Sequence, residues 1–128
     1  MENEQIEIRG ARLWLGEDGI FHIIHVPGSE MDLDDAQEIM TAYLKPNKGK
    51  RRPLFIDMRN LKSFDRGARQ YFSGEEATQT VRALAIFVGT PVSKVLGNFY
   101  LGLSSPHIPT RLFTDEDEAL EWLKGYIE

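Results

Sequence analysis

The sequence predicts one α/β domain: a mixed, mostly parallel sheet of about five strands, opened by an N-terminal hairpin and packed by about four to five helices. Three observations lead there. Leu54 to Met58 and Ala83 to Val88 are apolar without alternation, the pattern of strands covered on both faces. Between and after them stand segments whose apolar residues recur at three-and-four spacing, as in helices with one buried stripe. Ahead of them two apolar runs flank Gly16-Glu17-Asp18-Gly19, a hairpin turn. Strands that alternate with helices connect by right-handed crossovers, which makes the paired strands parallel.

In order, Ile6 to Leu15 has strand-like spacing that slips at Gly10, where a β-bulge is expected. Ile20 to Val26 completes the hairpin, and Pro27-Gly28 ends it. Asp32 caps a helix carrying Leu33, Ala36, Ile39, Met40, Tyr43 and Leu44 on one side, with Asp34 and Asp35 complementing its dipole. Lys45-Pro46-Asn47-Lys48-Gly49 stops that helix, and Pro53 introduces the strand Leu54 to Met58. Ser63 is then read as the cap of a helix presenting Phe64, Ala68, Tyr71 and Phe72. Ser73 with Glu76 has the capping-box pattern and opens a short helix to about Val81.

The strand Ala83 to Val88 closes at Gly89-Thr90-Pro91, where proline suits a first helical position. The helix that follows, Val92 to about Leu103, places Val92, Val95, Leu96, Phe99 and Leu103 on one face and Leu101 opposite. A loop from Ser104 to Pro109 leads to a short strand, Thr110 to Phe113. Thr114 with Asp117 is a second capping-box candidate, and the last helix buries Ala119, Leu120, Leu123 and Ile127.

At 128 residues the chain is the size of one domain with one sizeable core, so residues 1–128 are read as a unit. The absence of cysteine excludes disulfides, thiolate metal sites and a cysteine nucleophile, and suits a reducing cytoplasm. A net charge of −5 argues against general nucleic-acid binding, which needs a basic surface. No apolar run approaches the ~20 residues that span a bilayer, and the polar, acidic start lacks the parts of a signal peptide. A cytoplasmic protein without a membrane span is the expectation.

The stretch Asp57-Met58-Arg59-Asn60-Leu61-Lys62-Ser63-Phe64-Asp65, with the hairpin before it, resembles the STAS superfamily. That superfamily includes bacterial anti-sigma-factor antagonists and the C-terminal domains of sulfate transporters. Within it the chain is most similar to small bacterial STAS/CRAL-TRIO-like proteins, a likeness that extends through Gly97-Asn98-Phe99-Tyr100, Pro109 to Glu116, Ala119-Leu120 and Trp122-Leu123. The resemblance implies a STAS-like fold and a regulatory or protein-interaction role rather than an enzyme. Its CRAL-TRIO side implies a different role, carrier or sensor of a small apolar, anionic or lipid ligand. In the antagonist branch an Asp-Ser-Ser-Gly opens the helix after the buried strand, and a serine there accepts phosphate from a kinase. Here Asp65-Arg66-Gly67-Ala68 stands in its place, without either serine.

The residues themselves offer one candidate site. Asp57 ends a buried strand as a phosphoacceptor aspartate does, but the acidic pair that would hold Mg²⁺ for such chemistry is missing, because Glu17 and Asp18 lie in the hairpin turn. Acceptance of turn amides, or capping of the next helix, is the plainer role. Arg59, Lys62, Arg66 and Arg69 gather near Asp57 and Asp65, while Thr90, Ser93 and Lys94 open the following helix. If the two strands are neighbours, both groups share one rim that binds an anion or a protein partner. His22 and His25 are three apart in a strand and face opposite ways, so no metal site is expected. No glycine-rich nucleotide loop or nucleophile elbow is present, and no cofactor is implied. The basic run Lys45 to Arg52 reads as a solvated loop at the far end of the sheet. Tyr100 and Leu101 carry apolar surface beyond the buried stripe, a hint of a homodimer.

Overall fold

The computed structural model describes residues 5–48, 50–72, 74, 79–103 and 108–127. Their elements run β1 (Ile6–Ile8), β2 (Ala11–Leu15), β3 (Phe21–His25), β4 (Ser29–Met31), α1 (Leu33–Asn47), β5 (Arg52–Asp57), β6 (Leu61–Phe64) and α2 (Arg66–Phe72). Then follow β7 (Val81–Phe87), α3 (Pro91–Leu103), β8 (Thr110–Phe113) and α4 (Glu116–Lys124). Six strands form one sheet in the order β1-β2-β3-β5-β7-β8. The first three are antiparallel, and β3, β5, β7 and β8 are parallel, as the alternation of strands and helices requires.

The central strands explain their own composition. Leu54 and Ile56 of β5, with Leu84 and Ile86 of β7, pack into one core that holds Ala36, Ile39, Met40 and Tyr43 of α1 and Ala68 of α2. Phe55, with Ala83, Ala85 and Phe87, points the other way onto Ala119 and Leu123 of α4. Both faces being covered, neither strand has a solvent side to mark with polar residues. The result is three layers, with α1, α2 and part of α3 on one face and α4 on the other. Parallel pairing also brings the carboxyl ends of β5, β7 and β8 to one rim: Met58 N–H donates to Phe87 O at 2.9 Å and Val88 N–H to Phe113 O at 2.9 Å.

Several local expectations are corrected. Gly10, with φ of +86°, is no bulge but the second residue of a two-residue turn, because Ile8 pairs with Ala11 and the first run is itself a hairpin. Two short strands, β4 and β6, form a separate parallel ribbon that sequence periodicity did not show. Ser63 therefore lies in β6 and caps nothing; Asp65 caps α2, its Oδ1 accepting from Ala68 N–H at 2.9 Å. Asp32 does cap α1, with Asp35 completing the capping box. That helix runs past Pro46, whose lost hydrogen bond falls in the last turn, where buried Asn47 donates its side-chain amide to Tyr43 O at 2.6 Å. The cap of α4 is Asp115, accepting from Glu118 N–H, in place of the expected Thr114 pair.

The expected Ser73 capping box and the loop from Ser104 lie outside the described residues, as does Tyr100 with Leu101 beyond their backbone. Val81, placed at the end of that short helix, starts β7. On α3 the face is also corrected. Ser93 and Gly97 are buried and Leu96 half-buried, while Val92 and Val95 are exposed. A Cβ on Gly97 would lie 2.8 Å from Val88 Cγ1 and 2.9 Å from Leu112 Cδ2, so the helix rests on the sheet through that glycine. Gly97→Val should therefore overpack this contact and cost about 1–3 kcal/mol of unfolding free energy in a urea titration. An unchanged midpoint would show that α3 does not seat there.

Candidate functional site

The expected neighbourhood of the two groups is real: β5 and β7 are adjacent, with Asp57 opposite Phe87. At the end of β5 the chain reverses through Met58 to Leu61, closed by Leu61 N–H to Met58 O at 3.2 Å. Asp57 is 1% exposed. Its Oδ1 accepts from Arg59 N–H at 3.0 Å and from Arg59 Nε at 3.0 Å, and its Oδ2 from Arg59 Nη2 at 2.8 Å. The aspartate thus braces its own turn and is neutralised by the second residue after it.

Arg59 needs two neighbours to hold that pose. Its guanidinium carbon lies 4.4 Å from the centroid of the Phe87 ring, a cation–π contact. Its stem lies against Gly89, where a Cβ would come within 3.2 Å of Arg59 Cγ and Cδ. The hydrogen bond to Asp57 raises the guanidinium pKa against burial, and the charges of Asp57 and Glu116 add to that. Arg59 is thus committed to Asp57 on one face, with its other side open to solvent.

Thr90 and Ser93 form a closed unit at the start of α3. Ser93 N–H donates to Thr90 Oγ1 at 3.0 Å, while Ser93 Oγ accepts from the N–H of Gly89 and of Thr90 at 2.9 Å each. Ser93 is fully buried, so both hydroxyls serve the cap. Lys94, next in the chain, is exposed. The remaining residues of the expected site belong to the β4–β6 ribbon and its exit. Lys62 reaches Glu30 across the ribbon at 3.7 Å, both well exposed, an ion pair of little energetic weight. Asp65 caps α2, and Arg66 is exposed beside it.

Of the eight residues expected at the site, Asp57, Arg59, Thr90, Ser93 and Lys94 come together along the strand ends, and Lys62, Asp65 and Arg66 lie along β6 and α2. Phe87 and Glu116 were missed. The signal for Phe87 was the in-line pairing of the two apolar strands, which sets it opposite Asp57. Among the described residues no cluster of histidine, aspartate and glutamate is arranged to hold a metal ion.

His25, on the neighbouring strand β3, is 3% exposed. Burial drives its pKa down to about 4, against a hydrogen bond to the Gly10 backbone and the charges of Asp57 and Asp35. Its Nδ1 has no hydrogen-bond partner among the described residues. Trp14 and His22 stack on the other face of the same hairpin, with ring centroids 4.9 Å apart.

The family profile described as "Domain of unknown function (DUF7793)" matches residues 13–127. A crystal structure of an uncharacterized protein from the DUF3478 family with a SpoIIAA-like fold, from Shewanella loihica PV-4, superposes with a TM-score of 0.61 at 14% identity, covering 95% of this chain and 92% of that one. The fold is therefore SpoIIAA-like, the STAS-like architecture. A protein with unknown function from Arthrobacter sp. FB24 is 31% identical over 92% of this chain and 95% of its own, with a TM-score of 0.37. No curated protein matches.

Two measurements test the site's internal balance. Arg59→Ala leaves the Asp57 carboxylate buried without its counter-charge and should cost about 2–3 kcal/mol in urea denaturation. Asp57→Asn in that background should recover part of the loss, and strict additivity in the double-mutant cycle would show that the pair is not coupled. For His25, both folded and unfolded states hold a neutral ring above pH about 6.5. Between there and about 4 only the unfolded chain takes up the proton, so stability should fall with pH by roughly 3 kcal/mol over that window and level off below it. His25→Gln should flatten this slope; an unaltered slope would assign it to carboxylates.

Proposed function

Since the chain belongs to the DUF7793 family, whose description is a domain of unknown function, we propose that it is a non-enzymatic regulatory or protein-interaction module of the STAS-like class, working without a phosphorylatable serine at the start of α2. One observation carries this reading. In the first turns of α3, Val92 is 54% and Val95 64% exposed, flanking Lys94 and shortly after Gly89, which lies against the stem of Arg59. Single exposed valines are ordinary, but a pair at helical spacing beside the end of the sheet where the loops converge fits a contact surface.

The surroundings suit association better than chemistry. Asp57 is engaged by Arg59 within its own turn, and Thr90 and Ser93 by each other at the start of α3, which leaves apolar area and cations facing outward. A cytoplasmic protein partner, or a second copy of the chain in a homodimer, would cover Val92 and Val95, with Arg66 and Lys94 at the margin. Arg66 belongs to α2, which packs on α3.

The test is a Val92→Glu/Val95→Glu double variant, chosen because both side chains are outside the core. Sedimentation equilibrium of the wild type should show reversible dimerisation, weakened about tenfold or more in the variant. If the wild type is monomeric at its highest soluble concentration and both proteins recover the same partners from native lysate, the surface is not used.

A further inference from the structure

β8 is one edge of the six-stranded sheet, and no described strand pairs with its outer side. Leu84 N–H donates to Pro109 O at 2.9 Å and Val88 N–H to Phe113 O at 2.9 Å. In a parallel ladder alternate residues address the same neighbour, so Pro109, Arg111 and Phe113 turn their main-chain groups toward β7. Leu112, between Thr110 and Thr114, turns its N–H and C=O outward.

A groove of about 330 Å³ lies at the carboxyl end of this strand, lined by Arg111 to Thr114 and by Val88, the residue that follows β7. Arg111 and Leu112 point to opposite faces of the sheet, so the groove passes round β8 near its carboxyl end and reaches the strand's outer side. α3 forms one wall with Lys94 and Asn98, and α4 the other with Glu118. Arg111 is held flat, its guanidinium carbon 5.1 Å from the Phe113 centroid and 5.6 Å from that of Trp122. Neither Arg111 nor Lys94 has an ion-pair partner among the described residues.

We propose that this groove takes an extended segment of a partner protein as an added strand beside β8, with an acidic side chain of that segment meeting Lys94 and Arg111. Main-chain hydrogen bonds to Leu112 supply the register, and the two cations supply the selectivity. Glu118 offsets one of the two positive charges, so the groove suits a segment with a single acidic residue. The chain as a whole carries a net charge of −5, so the attraction is local to the groove. This inference rests on the reading of the protein as an interaction module and names one kind of segment that it recognises. α3 serves both, through the exposed pair Val92 and Val95 and through Lys94 and Asn98, which line the groove.

The probes are three terminally blocked peptides: Thr-Val-Glu-Val-Thr, the same with lysine for glutamate, and the same with proline for the second valine. They are titrated into the full chain labelled with ¹⁵N. The glutamate peptide should shift the amide signals of Thr110 to Thr114 and slow hydrogen exchange at Leu112. The lysine and proline peptides, and the Lys94→Glu and Arg111→Glu variants with the glutamate peptide, should each bind about tenfold more weakly. Equal binding of the proline peptide would overturn strand addition, and equal binding of the lysine peptide would overturn the acidic preference. Absence of any shift at millimolar peptide would overturn the groove itself. Val92→Ser/Val95→Ser, which removes the exposed apolar pair and adds no charge beside Lys94, should weaken self-association or partner recovery and leave peptide binding unchanged, so a failure of the groove with partner loss in that variant sinks this inference alone.

Discussion

The burial of β5 and β7 on both faces is the constraint from which the rest of this structure follows. Side chains of β5 alternate between a core under α1 and a core under α4, so polar groups can enter the sheet only where the strands end. Asp57 stands at that limit, in the last position of β5 and inside the protein. A carboxylate there needs compensation within reach. Arg59 supplies it from the same turn, and can do so because β7 offers a ring to lie on and Gly89 offers no side chain to obstruct it. The turn's shape, the pairing of β5 with β7 and the start of α3 are therefore parts of one arrangement.

Much of this was legible in the chain. The two unalternating apolar runs gave the central strands, and Asp32 with its acidic neighbours gave the start of α1. What was not legible depends on contacts distant in sequence. β4 and β6 are three and four residues long and half polar, too short to show a period, and they exist by pairing with each other across the length of α1 and β5. Gly10 looked the same as a bulge or a turn until Ile8 and Ala11 were seen to pair. Such ambiguities are settled by tertiary structure, which local pattern does not contain.

The seating of α3 is more instructive. A period alone gives a stripe and not the side on which the sheet lies: Leu96 packs on the core as the stripe requires, while Val92 and Val95 do not. Ser93 could turn inward because its hydroxyl is fully engaged in the cap with Thr90 and Gly89. Gly97 had to turn inward because any side chain there would hold the helix off Val88 and Leu112. A polar residue with a local partner and a glycine at a close contact are both buried for reasons that hydrophobicity does not register. The apolar residues displaced by them, Val92 and Val95, are left in solvent.

The same logic distinguishes the residues expected at the site from those that remain open to a partner. Eight were expected from their proximity to strand ends, and Asp57, Arg59, Thr90, Ser93 and Lys94 do lie along those ends. Yet polar residues at such a junction first meet the needs of the fold: Asp57 neutralised, α2 capped by Asp65, α3 capped by Thr90 and Ser93. Groups engaged in this way have little freedom to meet a reacting substrate, because each would have to leave a hydrogen bond whose loss exposes a buried neighbour. Among the described groups without such duties are Val92, Val95, Lys94 and Arg111, all at or beside α3 and the β8 edge. An apolar pair, two cations and a strand edge are the materials of association, and that is the physical ground for reading this domain as a binding module.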